Sequence, residues 1–482
     1  MTLRNGEAVT EGSIERAPAA RFRRSVIDGG AAGGRLAALF GRDLPGGAVR
    51  IYGMLADDAA GRLSILASDV RDSYEALTPD FPQAHYFERE IFEQHGVRPV
   101  GHPWLKPVRR HDTGYPFFRI ESEEVHEVAV GPVHAGIIDP GHFRLQCHGE
   151  TVLHLEIRLG YQHRGVEEAL VGGPDGRSAL LAECAAGDTT LGHVLAWCQA
   201  VEAAAGCEVP ARADAIRCVA LELERIANHV GDLGGLGTDI GFLPTSAWFG
   251  RLRGEFLNLL MDLSGSRYGR GLVRPGGVLF DLTPPMADSF LRRLETAASE
   301  LRQVAGLFFE TPSVRSRLEG TGVLSRAACD ELGLVGVAAR ACGSSRDVRR
   351  DHPIGLYRSG APAAAVAHTG DVLARARVRW VEIERSLEFI ATTIRSLPGG
   401  DLMRACAAPR PESLAVSMVE GWRGEIVHVA VADGRGRFDR YKIKDPSFQN
   451  WTGLAMALRD VPISDFPLCN KSFNLSYAGH DL

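Results

Sequence analysis

The densest group of ionisable residues at helical spacing lies between 222 and 229. Glu222 and Arg225 are three residues apart, and Asn228 and His229 follow Glu224 at four and five residues. That spacing puts their side chains beside one another along a helix, where they suit either a lateral path for protons or a solvated, salt-bridged face. The nine cysteines are odd in number, scattered and never closely paired. They read as reduced thiols rather than as a disulfide framework or a zinc knuckle. Gly234-Gly235-Leu236-Gly237 is followed by Thr238-Asp239-Ile240, so it lacks the third glycine of a dinucleotide fingerprint, and it follows a helical pattern rather than a strand. It reads as a helix stop, and no nicotinamide site is visible.

The bulk properties narrow the classes. A chain of 482 residues with 45% hydrophobic and 24% charged residues exceeds one ordinary core and predicts two domains. The net charge of -6, with both signs interleaved, offers no basic face for phosphates, which excludes nucleic acid as a partner. No apolar run reaches the roughly 18 residues of a spanning helix, so a membrane link has to come through partner subunits. Arg23-Arg24 lacks the apolar core of a twin-arginine signal, since Asp28-Gly29-Gly30 follows, and reads as a solvated basic patch.

Several elements must position any site. Residues 31–71 mix a small-residue helical segment with strand-like runs such as Val49-Arg50-Ile51-Tyr52-Gly53-Met54, as in a modest α/β sandwich. A polar stretch at 116–127 reads as a linker. Short strands are expected at 127–133 and 143–147, then helices at 179–204, 245–263, 287–309 and 371–397. From 212, Ile216, Val219, Ala220, Leu223, Ile226, Ala227, Val230 and Leu233 recur at three and four residues, predicting a long helix opened by Pro210 and ended by the glycines from Gly231. Ile426-Val427-His428-Val429-Ala430-Val431, the turn at Asp433-Gly434 and residues 438–443 predict a hairpin.

A family resemblance joins these pieces. Phe87-Glu88-Arg89-Glu90, Glu93-Gln94-His95-Gly96-Val97 and Gly101-His102-Pro103-Trp104-Leu105 resemble the signature of the smaller, C-type peripheral subunit of respiratory complex I. The rest resembles the larger, hydrogenase-like D-type subunit through Gly131-Pro132-Val133-His134, His163-Arg164-Gly165-Val166-Glu167, Val209-Pro210-Ala211-Arg212-Ala213, Arg274-Pro275-Gly276-Gly277-Val278, Gly322-Val323, Asp347-Val348-Arg349, Arg423-Gly424-Glu425 and Asp445-Pro446-Ser447-Phe448, in family order. The fusion and the run Asp139-Pro140-Gly141-His142-Phe143-Arg144 are closer to the formate hydrogenlyase large subunit. The resemblance implies an α+β chain: a small N-terminal α/β domain (1–115), the linker (116–127), and a mainly helical, nickel-iron hydrogenase large-subunit-like domain (128–482) with small β elements at its two ends. It also implies an iron-sulfur small subunit and membrane-embedded proton-translocating subunits as partners, with the chain cytoplasmic and peripheral on the inner face of the cell membrane.

A nickel-iron centre needs four thiolates, because soft sulfur matches a polarizable, low-valent metal. The family pattern places them at Ala186, Thr189, Ser476 and Gly479, none of which is a cysteine. Cys184 falls roughly 200° around a helix from the first position, and Cys469 is seven residues short of the other. A different metal held by these two thiols is one reading and ordinary buried cysteine is the other. The resemblance puts the quinone-binding histidine at Pro140 and tyrosine at Gly187, leaving His134 and His142 as rearranged cavity donors or as satisfied structural histidines. Arg164-Gly165-Val166-Glu167 matches the motif whose glutamate passes protons, so Glu167 is a proton relay or a fixed ion pair. Arg164, Asp188 and His193 are expected at the same cavity, where capping and packing are the plainer roles for Asp188 and His193. Asp465, Lys471, Tyr477 and His480 lie where the family's tail closes it, and burial there requires paired partners.

These readings predict an oxidoreductase subunit that couples electron transfer from an iron-sulfur partner to proton movement at a metal-free cavity. Quinone is a candidate ligand, no cofactor is held by this chain, and any NADH chemistry belongs to other subunits. The rivals are an authentic nickel-iron hydrogenase catalytic subunit and a non-catalytic scaffold.

Overall fold

The computed structural model describes all residues except 112, 113 and 135–137. An antiparallel sheet near the N-terminus orders its strands Thr2–Leu3, Arg62–Val70, Val49–Asp57, Arg35–Asp43. Alternation sends neighbouring side chains to opposite faces. Leu39 and Ile51 pack with Phe22 and Val26 of helix Ala19–Ala31 and with Phe87 and Ile91 of helix His85–His95. Phe40, Tyr52 and Met54 pack instead against Leu414, Val416, Val427 and Val429. Both faces are therefore covered, which explains the nearly unbroken apolar runs in these strands.

The second layer is a sheet ordered Phe438–Lys444, Glu425–Ala432, Ser413–Glu420, Ala8–Thr10, all antiparallel. Its edge strand Ala8–Thr10 comes from the start of the chain. The opposite face of this sheet carries helix Thr190–Ala205. A separate three-stranded sheet is ordered Thr151–Arg158, His142–His148, Val125–Val130, and helix Pro446–Ala457 packs on Thr151–Arg158. The helical core centres on Ala211–Asp239, packed by Leu243–Ser264 and Val372–Arg395, with Pro284–Glu310 outside.

The expected hairpin, the two short strands and the helices at 245–263, 287–309 and 371–397 are all present within a few residues. Two expectations fail. The long helix does not stop at Gly231 but continues to Asp239, because its glycines admit close neighbours. A β-carbon on Gly234 would lie 3.2 Å from Phe249 Cβ, on Gly235 3.0 Å from Lys471 Cδ, and on Gly237 3.1 Å from Thr245 Oγ1. The helix expected at 179–204 is two helices, Ser178–Glu183 and Thr190–Ala205, broken by a turn. Ala186 and Thr189 therefore lie on or beside that turn, and the helical angle assigned to Cys184 does not apply; Cys184 follows the first helix and is exposed.

Candidate functional site

The turn between those helices is held from several sides. Arg423 grips both Asp188 oxygens (2.6 and 2.7 Å), stacks on Trp422 at 3.9 Å and donates to the Asn474 carbonyl. Trp422 Nε1 donates to the Asp188 carbonyl and to Thr189 Oγ1, both at 3.1 Å. Arg164 donates to the carbonyls of Cys184 and Ala185 (2.6 and 2.7 Å). Burial pushes the Asp188 carboxyl up, but Arg423 outweighs it and holds the group below its ordinary range. At the start of helix Thr190–Ala205, the Leu191 and Gly192 amides donate to Glu224 (2.7 and 3.1 Å), the favourable sign for a helix N-terminus. Burial still pushes the Glu224 carboxyl up to about 8.

One turn further, His193 is fully buried and bonded at both nitrogens: Nε2 to Asp445 Oδ2 at 3.0 Å and Nδ1 to His428 Nε2 at 3.1 Å. His428 Nδ1 meets Tyr441 Oη at 2.8 Å. His428 is the polar member of its strand on the face toward helix Thr190–Ala205, and Asp445 caps helix Pro446–Ala457 by accepting from the Ser447 amide (2.7 Å). Burial raises the Asp445 carboxyl, and the His193 hydrogen bond with the Arg423 charge bring it below its ordinary value.

The four positions where the family pattern sets thiolates surround this group without supplying one. Ala186 is buried and has no donor atom. Thr189 Oγ1 donates to Asp188 and accepts from Trp422 and Arg423. Ser476 Oγ accepts from the Gly479 amide at 2.9 Å. A β-carbon on Gly479 would lie 2.5 Å from Asp445 Cγ, so a carboxylate fills the space a side chain there would need. Hydroxyls already committed to hydrogen bonds and hard carboxylates paired with cations do not fit a nickel-iron centre. Cys469 is buried against Gly322, far in character from exposed Cys184, and no cluster of three His, Cys, Asp or Glu suited to a metal occurs among the described residues.

Of the residues singled out in the sequence, Asp188, His193 and Arg164 meet at this turn. Glu167 belongs to a neighbouring ion cluster. It accepts from Lys442 (2.8 Å), the Ile443 amide (3.0 Å) and Arg440 (3.2 Å), and Lys442 also binds Glu90 (2.7 Å), which binds Arg109 (2.6 Å). Its cations are thus Lys442 and Arg440, not Arg164. His134 lies against Phe143 and 6.5 Å from Tyr477, ring to ring; its Nε2 and Tyr477 Oη have no hydrogen-bond partner among the described residues. His142 is held by the Gly131 carbonyl and Arg144, each at 3.3 Å. The stripe on the long helix is not a solvated face: Glu222, Glu224, Arg225, Asn228 and His229 are all buried. Glu222 pairs with Arg225 (3.0 Å) and Arg349 (3.1 Å) and accepts from Tyr357 and Ser386, and His229 meets Glu382 at 2.8 Å.

Sequence reasoning missed Arg423, Asp445, His428 and Tyr441 as site residues. Two of them stood inside matched runs, and His428 was a lone imidazole in an otherwise apolar strand, which is the signal that could have found it.

This architecture defines a hydrogenase-type large subunit preceded by a small α/β unit. The chain belongs to the family described as the respiratory-chain NADH dehydrogenase 49 Kd subunit, matched over residues 239–411 and 403–481, and residues 36–118 match the 30 Kd subunit of the same enzyme. One polypeptide thus carries both complex I-type parts. It is 31% identical over 350 residues to the carbon monoxide-induced hydrogenase of Rhodospirillum rubrum, covering 72% of this chain and 97% of that protein. Formate hydrogenlyase subunit 5 of Escherichia coli (strain K12) is 30% identical over 493 residues, covering 93% of this chain and 85% of that one. Among solved structures, a chain of the membrane-bound sulfane sulfur reductase, an archaeal respiratory membrane complex, superposes with a TM-score of 0.70 at 26% identity, covering 76% of this chain and all of that chain. The solved relative is thus part of a respiratory membrane complex, and no described helix here is long and apolar enough to cross a membrane.

Proposed function

We propose that this chain is the large peripheral subunit of a complex I-like or formate hydrogenlyase-like oxidoreductase, taking electrons from an iron-sulfur partner and handling protons at a pocket that holds no nickel. It divides into units 1–115 and 128–482 joined by 116–127, and it sits on the inner face of the cell membrane through membrane-embedded partners. The observation that carries this reading is that the four thiolate positions supply no sulfur while two carboxylates stand beside them, Asp188 held by Arg423 and Asp445 hydrogen-bonded to His193. Carboxylates and imidazoles exchange protons, and neither supplies the thiolate sulfur that holds a nickel-iron centre. The Asp188 side chain is 37% exposed, which suits it to proton entry, and His193 is buried behind it. Glu167 contributes through its ion cluster, and His134, His142 and Arg164 are the groups that would receive a quinone headgroup.

The test is the purified membrane complex, with reduced viologen dye as electron donor. Asp188→Asn is expected to cut turnover at least about tenfold, in keeping with removal of a proton-transfer group, with subunit composition unchanged. Full turnover in an intact Asp188→Asn complex would favour the scaffold, and stoichiometric nickel by elemental analysis would restore the hydrogenase reading.

A further inference from the structure

The series Tyr441, His428, His193, Asp445 is joined by three hydrogen bonds of 2.8, 3.1 and 3.0 Å, and all four residues are buried. A neutral imidazole has one N–H and one lone pair, so each bond in such a series fixes the direction of the next. Two directions exist while His428 is neutral. In the outward one, Tyr441 O–H donates to His428 Nδ1, His428 Nε2–H donates to His193 Nδ1, and His193 Nε2–H donates to the Asp445 carboxylate. Every hydrogen then has an acceptor. In the inward one, His193 Nδ1–H donates to His428 Nε2 and His428 Nδ1–H donates to Tyr441. The Tyr441 hydroxyl hydrogen then needs a second acceptor, and no side-chain bond from Tyr441 other than that to His428 is formed among the described residues. An unsatisfied buried hydroxyl costs about 1 to 3 kcal/mol, which selects the outward direction. Burial and the adjacent His193 also keep His428 well below its ordinary pKa, hence neutral.

We propose that Asp445 is the proton-accepting group of the pocket, that His193 is its partner held as the Nε2–H tautomer, and that His428 and Tyr441 are positioning residues that fix this tautomer. The role of Asp445 rests on the proton-handling function proposed above; the tautomer assignment stands on the hydrogen bonds alone. Asp445 faces Arg423 and Asp188 from the two turns, His193 from the helix, and the Ser447 amide on its own helix. Its carboxylate is thus the base nearest Gly479, in the place of a lost thiolate. A proton taken up by Asp445 adds to a carboxylate oxygen to give the neutral acid and leaves from that same oxygen. It cannot pass inward, because His193 Nε2 already carries hydrogen.

Nitrogen NMR of the full chain labelled at histidine tests the proposal, with the two rings assigned through His193→Gln and His428→Gln. Both rings are expected protonated on Nε2 and bare on Nδ1 in the native chain. Tyr441→Phe, which removes one hydroxyl, is expected to turn His428 into a mixture of both tautomers. His428→Gln, whose amide N–H still donates, is expected to preserve the His193 tautomer, whereas His428→Leu loses it. Protonation of His428 on Nδ1 in the native chain, or a His428 tautomer unmoved by Tyr441→Phe, overturns the positioning role. In the dye assay on the assembled complex, Asp445→Asn is expected to lower turnover at least about tenfold. Full turnover there overturns the assignment of Asp445 even where the tautomers are as stated, and it leaves the broader function to the Asp188 test.

Discussion

Lys442→Met tests the ion cluster that ties the small N-terminal unit to the pocket. Lys442 is buried at 1% exposure, with Glu90 on one side and Glu167 on the other. Its loss leaves those two carboxylates facing Arg109 and Arg440 alone. Removing one partner of a buried pair costs about 3 to 5 kcal/mol, because the remaining charge stays desolvated. A chain of this size shifts by about 1 °C per kcal/mol, so the midpoint should fall by about 3 to 5 °C in thermal unfolding followed by circular dichroism. The pH dependence is a second signature. Against burial, Lys442 and Arg109 hold the Glu90 carboxyl at about 2. A carboxyl depressed in the folded state adds stability above its ordinary value of 4.5, and that contribution is lost as pH falls through about 2. Without Lys442 the carboxyl rises and takes a proton earlier, so the deficit should narrow as pH falls below about 5. Arg21→Ala removes the surface pair with Glu15, whose side chains are 67% and 49% exposed, and should cost under about 0.5 kcal/mol. A Lys442→Met deficit below about 1 kcal/mol at neutral pH, or one that does not change with acid, would refute the reasoning.

Other outcomes follow from single contacts. Gly336→Ala puts a methyl group into the Arg423 carbonyl at a backbone φ of +65°, so it should destabilise the chain by about 2 kcal/mol or more and loosen the Asp188 pairing; chemical denaturation reads the first and the Asp188 carboxylate infrared bands the second. Glu224→Gln should flatten the pH dependence of stability. The raised carboxyl favours the fold below about 4.5 and loses that advantage as pH rises through about 8, so a native slope in that window that persists in the variant would count against the assignment. Trp422→Phe keeps the ring under Arg423 but deletes the donor to Thr189 and the Asp188 carbonyl, and should cost about 1 to 2 kcal/mol by denaturant midpoint.

Periodicity made the long helices and the hairpin legible because each buries one continuous stripe. It gave no warning of the turn at 184–189, where Ala185, Ala186 and Gly187 continue a small-residue pattern that a helix would also accept. Nor did the glycines of 231–237 reveal that they serve packing, since the neighbours they admit come from the next helix at 245–253 and from 471. The family motifs located Asp188 and His193, and the lost thiolates could be read residue by residue. What could not be read was the pairing across the fold: Arg423 reaches Asp188 over 235 positions, and His193 meets Asp445 over 252. No local pattern encodes such meetings, which the layering of helix Thr190–Ala205 on the C-terminal sheet creates.

The small sheet's second covered face sets a rule for assembly. Where relatives match only one part, the two bodies can in principle be supplied as separate polypeptides; here the strand Ala8–Thr10 is stitched into the far sheet beside Ser413 while Phe40 and Tyr52 rest on Val416 and Val429. Cutting the chain between the two bodies would still leave that seam to be closed, and each half made alone would display a bare apolar wall prone to clumping. Fusion therefore guarantees equal numbers of the two bodies and lets neither wait, uncovered, for its mate.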